Sequence, residues 1–163
     1  MTEVRLAGRA DDPSVKNAWW RTDGPVFAVI ALGGGLGALS RYGIAQLLPT
    51  KPGQFPWGTF LTNVIGCFAI GVLMVLITEV WVGHRLVRPF LGVGFLGGFT
   101  TFSTYAVETR NLLQPGTVVL AFVYAAGTLL AALLAVLAAV TLARKLMLPT
   151  PVTAVEAMGD EQP

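Results

Sequence analysis

An all-α membrane protein with four transmembrane helices is the fold class predicted by three observations. Of the 163 residues, 54% are hydrophobic and only 12% charged, and the mean hydropathy is +0.68; a soluble domain carries about twice that charge. The charges crowd into the stretch before Asp23 and the tail after Arg144. Between them, Phe55–Thr78, Pro89–Val107 and Leu112–Ala143 contain no charge, and Val26–Leu48 contains only Arg41. Each run reaches the roughly 20 apolar residues a helix needs to cross about 30 Å of hydrocarbon.

In chain order, residues 1–23 form a polar, flexible extension without the apolar core of a secretory signal. Trp19 and Trp20 beside Arg21 suit an interfacial anchor. Residues 24–145 form the four-helix transmembrane domain. Its loops near Pro49–Pro56, Glu79–Arg88 and Arg110–Pro115 are too short to add a water-soluble domain. Residues 146–163, with several prolines and acids, read as a disordered tail. Cys67 is alone and reads as a small buried hydrophobe, and His84 has no companions for a metal site. No nucleotide-binding loop, metal-ligand cluster or nucleophile–base arrangement is visible, which excludes an enzyme. The lipid bilayer is a predicted partner; nucleic acid is not.

Gly33-Gly34-Gly35-Leu36-Gly37-Ala38 fits a dinucleotide-binding pattern by spacing alone. That pattern needs a strand before it and an acid about 20 residues later. Neither is present around Gly53–Gly58. Small residues that let helix backbones approach in lipid explain these glycines better, and Gly66, Gly71 and Gly127 with them.

Polar groups inside a membrane need a partner or a purpose. Arg41, near the end of the first span, can snorkel to the interface or hold an anion at a pore mouth. Asn63 lies one turn after Thr59, and its amide can donate two hydrogen bonds to an anion or pin two helices. Tyr124 and Thr128 share a face of the fourth span. The third span is the most unusual. In VGFLGGFTTFSTY (Val93–Tyr105), two adjacent glycines precede four Ser and Thr residues, which predicts an unwound turn beginning at Gly97-Gly98. Such a turn survives in hydrocarbon only if buried in protein or lining a cavity. Its free carbonyls can bind a cation, and the half-helix after it points a positive end at an anion. Phe102 and Tyr105 share a face, and aromatic ring edges suit an anion path. Glu79 and Glu108 lie at span ends, so no acid occupies mid-span, against proton-coupled transport.

GGGLGALSRY (Gly33–Tyr42), GTFLTNVIGCFAIG (Gly58–Gly71) and GFLGGFTTFSTYAVE (Gly94–Glu108) closely resemble the bacterial fluoride channels, the Fluc or CrcB proteins, over about residues 25–143. The resemblance implies an antiparallel dimer of four-helix subunits in the cell membrane, with the third helix broken at its centre. It implies a structural sodium ion (Na+) at the dimer centre, held by the backbone carbonyls of Gly97 and Thr100. It also implies two fluoride pores bordered by Asn63, by Phe102 and Tyr105, by Arg41, and by a polar track at Tyr124 and Thr128. Ser103 and Thr104 are further hydroxyl donors for the ion. The function implied is passive export of fluoride against its toxicity.

Two positions depart from the family pattern: Tyr105 stands where Phe is usual, and Ala132 where the polar track continues. The charge layout also matters. Arg5, Arg9, Lys16, Arg21, Arg85, Arg88, Arg144 and Lys145 fall on the side of the termini, against Arg41, Lys51 and Arg110 opposite. The positive-inside rule then favours cytoplasmic termini. A homodimer with opposed subunits needs a balanced chain, so the bias points to a heterodimer with a homologous subunit as the alternative to a homodimer. Two rival functions fit the residues less well than the channel. A small multidrug-resistance-type exporter needs a buried Glu where this chain has Arg41, and a non-transporting scaffold subunit has no use for Asn63 and the hydroxyl cluster.

Overall fold

The computed structural model describes residues 13–80 and 85–147, with the side chains of 13–22 left aside. The expectations for residues 1–12, His84, the tail beyond Met147 and the Trp19–Trp20 anchor lie outside the described residues and side chains. Helix α1 runs Pro13–Leu47, so it starts within the polar extension and crosses the membrane over Asp23–Leu47. Helix α2 is Trp57–Val75, prolonged by a π-wound turn, Leu76–Val80. Helix α3 is π-wound over Pro89–Leu96 and α-helical over Gly97–Phe99. Helix α4 is Phe102–Leu112 and α5 is Val118–Met147. With α3 and α4 counted as one span, four helices are long and apolar enough to cross a membrane.

The connections follow local chemistry. Helix α1 stops just before Pro49, which disfavours helical geometry in the residue ahead of it. A tight turn follows, with Pro52 at its second position, Gly53 at its third with φ +75°, and Gln54 N–H donating to Lys51 O at 3.1 Å. The α4–α5 turn uses Pro115 and Gly116, the latter at φ +94°.

The helices pack as two pairs, α1 along α3 and α2 along α5, joined where α2 meets the α3–α4 junction. The α1–α3 seam is backbone against backbone. A Cβ on Gly37 would collide with the Phe95 carbonyl, one on Gly98 with the Gly34 carbonyl, and one on Gly33 would lie 2.5 Å from Phe90 O. In the second pair, a Cβ on Gly71 would lie 2.7 Å from Ala139 Cβ. Gly66 is filled by Thr100, whose methyl occupies the space of the missing side chain. Gly127 does not share this role, because nothing stands within 4 Å of a Cβ there. Its neighbours on α5 face outward: Leu129, Leu130, Leu133, Leu134 and Leu137 are all exposed. Lipid solvates such a surface where water would not, so the apolar exterior needs no cover.

At the end that carries the termini, Arg144 on α5 clasps Glu79 on α2, with Nε 3.0 Å and Nη2 2.6 Å from Oε1. A forked contact of this kind binds more firmly than a single exposed pair.

The seam gives a direct test. Gly98→Val should lower the melting temperature of the detergent-solubilised protein, as overpacking costs about 1–3 kcal/mol. Gly127→Ala should leave it unchanged. Thermal unfolding of both variants checks this.

Candidate functional site

The break in the third span is short and lies later than the glycines suggest. Leu96 and Gly97 are helical, with Gly97 at φ −65° and ψ −35°. Only Thr100 (φ −76°, ψ 157°) and Thr101 (φ −149°, ψ 120°) are extended. The interruption sits where a partner can satisfy the freed backbone. Asn63 Nδ2 donates to Thr101 O at 3.0 Å, and Thr101 N donates to Asn63 Oδ1 at 2.8 Å. The amide of Asn63 thus stands in for a neighbouring peptide group. Gly97-Gly98 has no such amide partner and stays helical; Gly98 serves the α1 seam instead, while Gly97 is exposed.

Around this pair the remaining polar groups are mostly engaged. Thr101 Oγ1 caps α4 by accepting from Thr104 N at 3.2 Å, and also donates to Thr104 Oγ1 at 3.0 Å. Ser103 Oγ lies 3.3 Å from Thr101 Oγ1. Thr100 N and Oγ1 both donate to Leu96 O. Arg41 Nε donates to Gly98 O at 3.2 Å, so the guanidinium reaches inward to the end of α3. Among the described residues no donor reaches Gly97 O or Thr100 O. Neutral carbonyl oxygens without internal donors are the hard ligands an alkali cation takes.

Two cavities flank the break. A groove of about 320 Å³ is lined by Asn63, Cys67, Thr100, Thr101, Phe102, Tyr105, Thr128, Leu129 and Ala132. It holds no charged side chain. Phe102 is 79% exposed. Thr128 is 4% exposed, and its Oγ1 is buried with no hydrogen-bond partner. The other cavity, about 390 Å³, is lined by Arg41, Thr59, Thr62, Thr101 and Thr104 together with residues of α1. Thr101 borders both, so the Asn63–Thr101 pair separates them.

The predicted site residues are thus divided. Asn63, Phe102, Tyr105 and Thr128 share the first groove, while Arg41 and Thr104 face the second cavity. Ser103 is exposed and lines neither cavity. Tyr124 is fully buried between α4 and α5. Its hydroxyl donates to Glu108 Oε2 at 2.7 Å, and Thr59 Oγ1 donates to Glu108 Oε1 at 2.9 Å.

Glu108 is the residue that sequence reading passed over as a span-end acid. It gathers the two hydroxyls and opens on a cavity of about 620 Å³ that also holds Lys51, Gln54 and Asn111. Thr59 and Tyr124, both polar and both within spans, were the signal: their shared acceptor had to come from a third helix.

A row of rings runs from the groove to this end. Phe102 and Tyr105 are 5.7 Å apart, Tyr105 and Tyr124 5.4 Å, and Tyr124 and Phe55 5.3 Å with an edge-on approach.

Comparison with known proteins agrees with this architecture. A family model described as CrcB-like protein, Camphor Resistance (CrcB), matches residues 28–140. The chain is 65% identical over 111 residues to fluoride-specific ion channel FluC 2 of Nocardia farcinica, covering 68% of this chain and 79% of that one. It is 55% identical over 139 residues to fluoride-specific ion channel FluC 1 of Streptomyces coelicolor, covering 85% and 89%. Fluoride-specific ion channel FluC 2 of Streptomyces avermitilis is 55% identical over 127 residues, covering 78% and 79%.

Because Asn63 satisfies two backbone groups at once, Asn63→Ala should destabilise the fold as well as alter the groove. Leaving a buried donor and acceptor unpaired costs about 1–3 kcal/mol each. Asn63→Asp should behave similarly, since a carboxylate cannot donate to Thr101 O. A melting temperature equal to wild type in both variants would show that the pair is dispensable.

Proposed function

The chain belongs to the CrcB-like family, and we propose that it forms a fluoride-specific channel through which fluoride leaves the cytoplasm passively. As a member it is a multi-pass plasma-membrane protein and a channel, not an enzyme. The proposal is supported by relatives named as fluoride-specific ion channels and, in the geometry, by the groove beside Thr128. That groove offers neutral hydrogen-bond donors and ring edges, and no carboxylate. A buried hydroxyl without a partner is the observation that carries the argument, since such a group costs free energy unless something binds it.

Fluoride is small and strongly hydrated, so a pore must replace its water with close donors as it enters. Asn63 spends its oxygen and one N–H on Thr101 and keeps its second N–H for an ion. Thr128 Oγ1 offers another donor one helix away. The ring edges of Phe102 and Tyr105 add weaker support along the path. Several weak sites suit conduction better than one strong site, because the ion must also leave. On the other face of the break, Arg41 and the N-terminus of α4 make a positive mouth. Fluoride enters cells as its neutral acid and ionises inside, so a passive path for the anion carries it outward.

The working unit in this proposal is an antiparallel dimer. Gly97 is exposed, and nothing in its own chain crowds it. The Gly97 and Thr100 carbonyls would meet those of the partner there, and four neutral oxygens would hold a sodium ion. When bound, such an ion would supply fixed positive charge between the two subunits; the chain's part would be to keep the carbonyls of Gly97 and Thr100 free of internal donors. The charge bias toward the side of the termini supports a partner that is a homologous, oppositely inserted subunit. Among the described residues neither rival is favoured: α1 carries no buried acid for an exporter, and a scaffold leaves Thr128 unexplained.

Fluoride efflux from liposomes holding the purified protein, with chloride as control, tests the channel. Fluoride should leave and chloride should stay; equal loss of both, or of neither, sinks the proposal. Phe102→Ile should reduce fluoride flux by about tenfold, the effect of about 1.4 kcal/mol, without lowering the melting temperature. For the partner, C-terminal reporter fusions expressed alone should report one side of the membrane. Equal signal on both sides would favour a homodimer.

A further inference from the structure

Thr128 departs from a pattern that six other hydroxyls in the spans follow. Thr62, Thr78, Thr109 and Thr141 donate to the carbonyl four residues earlier in their own helix, at 2.8, 2.7, 2.8 and 2.9 Å. Ser40 and Thr100 do the same, each at 2.9 Å. This back-bonding is the ordinary way for Ser and Thr to satisfy themselves inside a helix. Thr128 is in the middle of α5, as buried as Thr62, and makes no such bond.

The carbonyls within its reach are those of Tyr124 and Ala125, four and three residues earlier. Ala125 O is occupied. Tyr105 Oη, from α4, donates to it at 2.9 Å. A carbonyl oxygen has two acceptor sites. The helical N–H of Leu129 takes one and the phenol the other, which leaves no room for Thr128. The phenol is also held in place, with its ring packed against Phe102 at 5.7 Å and Tyr124 at 5.4 Å. Tyr124 O, the remaining candidate, is not engaged by Thr128.

We infer that Tyr105 is a positioning residue for Thr128: by occupying Ala125 O it closes one of the two acceptors within reach and so favours the unbonded hydroxyl that an anion in the groove can use. The inference rests on the proposed fluoride path. It assigns the phenol a use other than contact with the ion, because the hydroxyl hydrogen is already committed to α5. Loss of the phenol should therefore act through Thr128 alone.

A double-mutant cycle on fluoride efflux from liposomes tests this, using Tyr105→Phe, Thr128→Val and the pair. Thr128→Val should reduce flux by about tenfold, the effect of one hydrogen bond to a charged ion. Tyr105→Phe should reduce it by about fivefold in the wild-type background and by less than about twofold when Thr128 is already Val, since neighbours acting as a unit are not additive. The loss should appear as a weaker dependence on fluoride concentration, with melting temperature unchanged. An equal loss in both backgrounds would mean that the phenol acts directly and would overturn the inference. So would a Tyr105→Phe variant that melts lower yet conducts normally, or wild-type flux in Thr128→Val. A parent protein that passes no fluoride would remove the proposed function itself, a different and separable result.

Discussion

The rest of the site depends on one paired contact, the two hydrogen bonds between the Asn63 amide and the backbone of Thr101. Hydrocarbon has no water to satisfy an open peptide group, so a helix can be interrupted there only where protein supplies both a donor and an acceptor. Asn is the smallest side chain offering both in one plane. With that contact in place, Thr101 can cap a second half-helix, the Gly97 and Thr100 carbonyls stand free of internal donors, and the space beside the break divides into two cavities. Without it, α3 and α4 would have no reason to part.

Much of the fold was legible because the bilayer imposes a simple rule on sequence. Three uncharged runs and one nearly uncharged run became the four spans, and Gly33, Gly34 and Gly37 of the first span became a seam, whereas Gly35 meets nothing within 4 Å. The location of the break was not legible. Gly97-Gly98 looked weak by propensity, but propensity says nothing of where a partner stands. Asn63 lies 38 residues away along the chain from Thr101, and only the packing of α2 against the junction brings them together. Gly127 misled for a related reason: a glycine in a membrane helix is a packing signal only if another helix is opposite it.

Among the site residues, side-chain type was readable but commitment was not. Thr59, Tyr124 and Thr128 all appeared as hydroxyls seeking partners. Two of them share Glu108, and the third has none. That difference arises from contacts among three helices, which spacing along one helix cannot reveal. Arg41 illustrates the same limit. A long cationic side chain near a span end ordinarily reaches for water, yet here it reaches for Gly98 O, because the end of α3 presents a carbonyl with no helical donor.

The clasp between Arg144 and Glu79 gives one charge two uses. During insertion, a basic residue beside a span helps decide which way the chain faces, while nearby acids count for little. Arg144, at the end of α5, is a basic residue of that kind. Once the helices associate, the same guanidinium closes on Glu79. One side chain thus combines a charge of the kind that biases topology with a contact that ties the last span to the second.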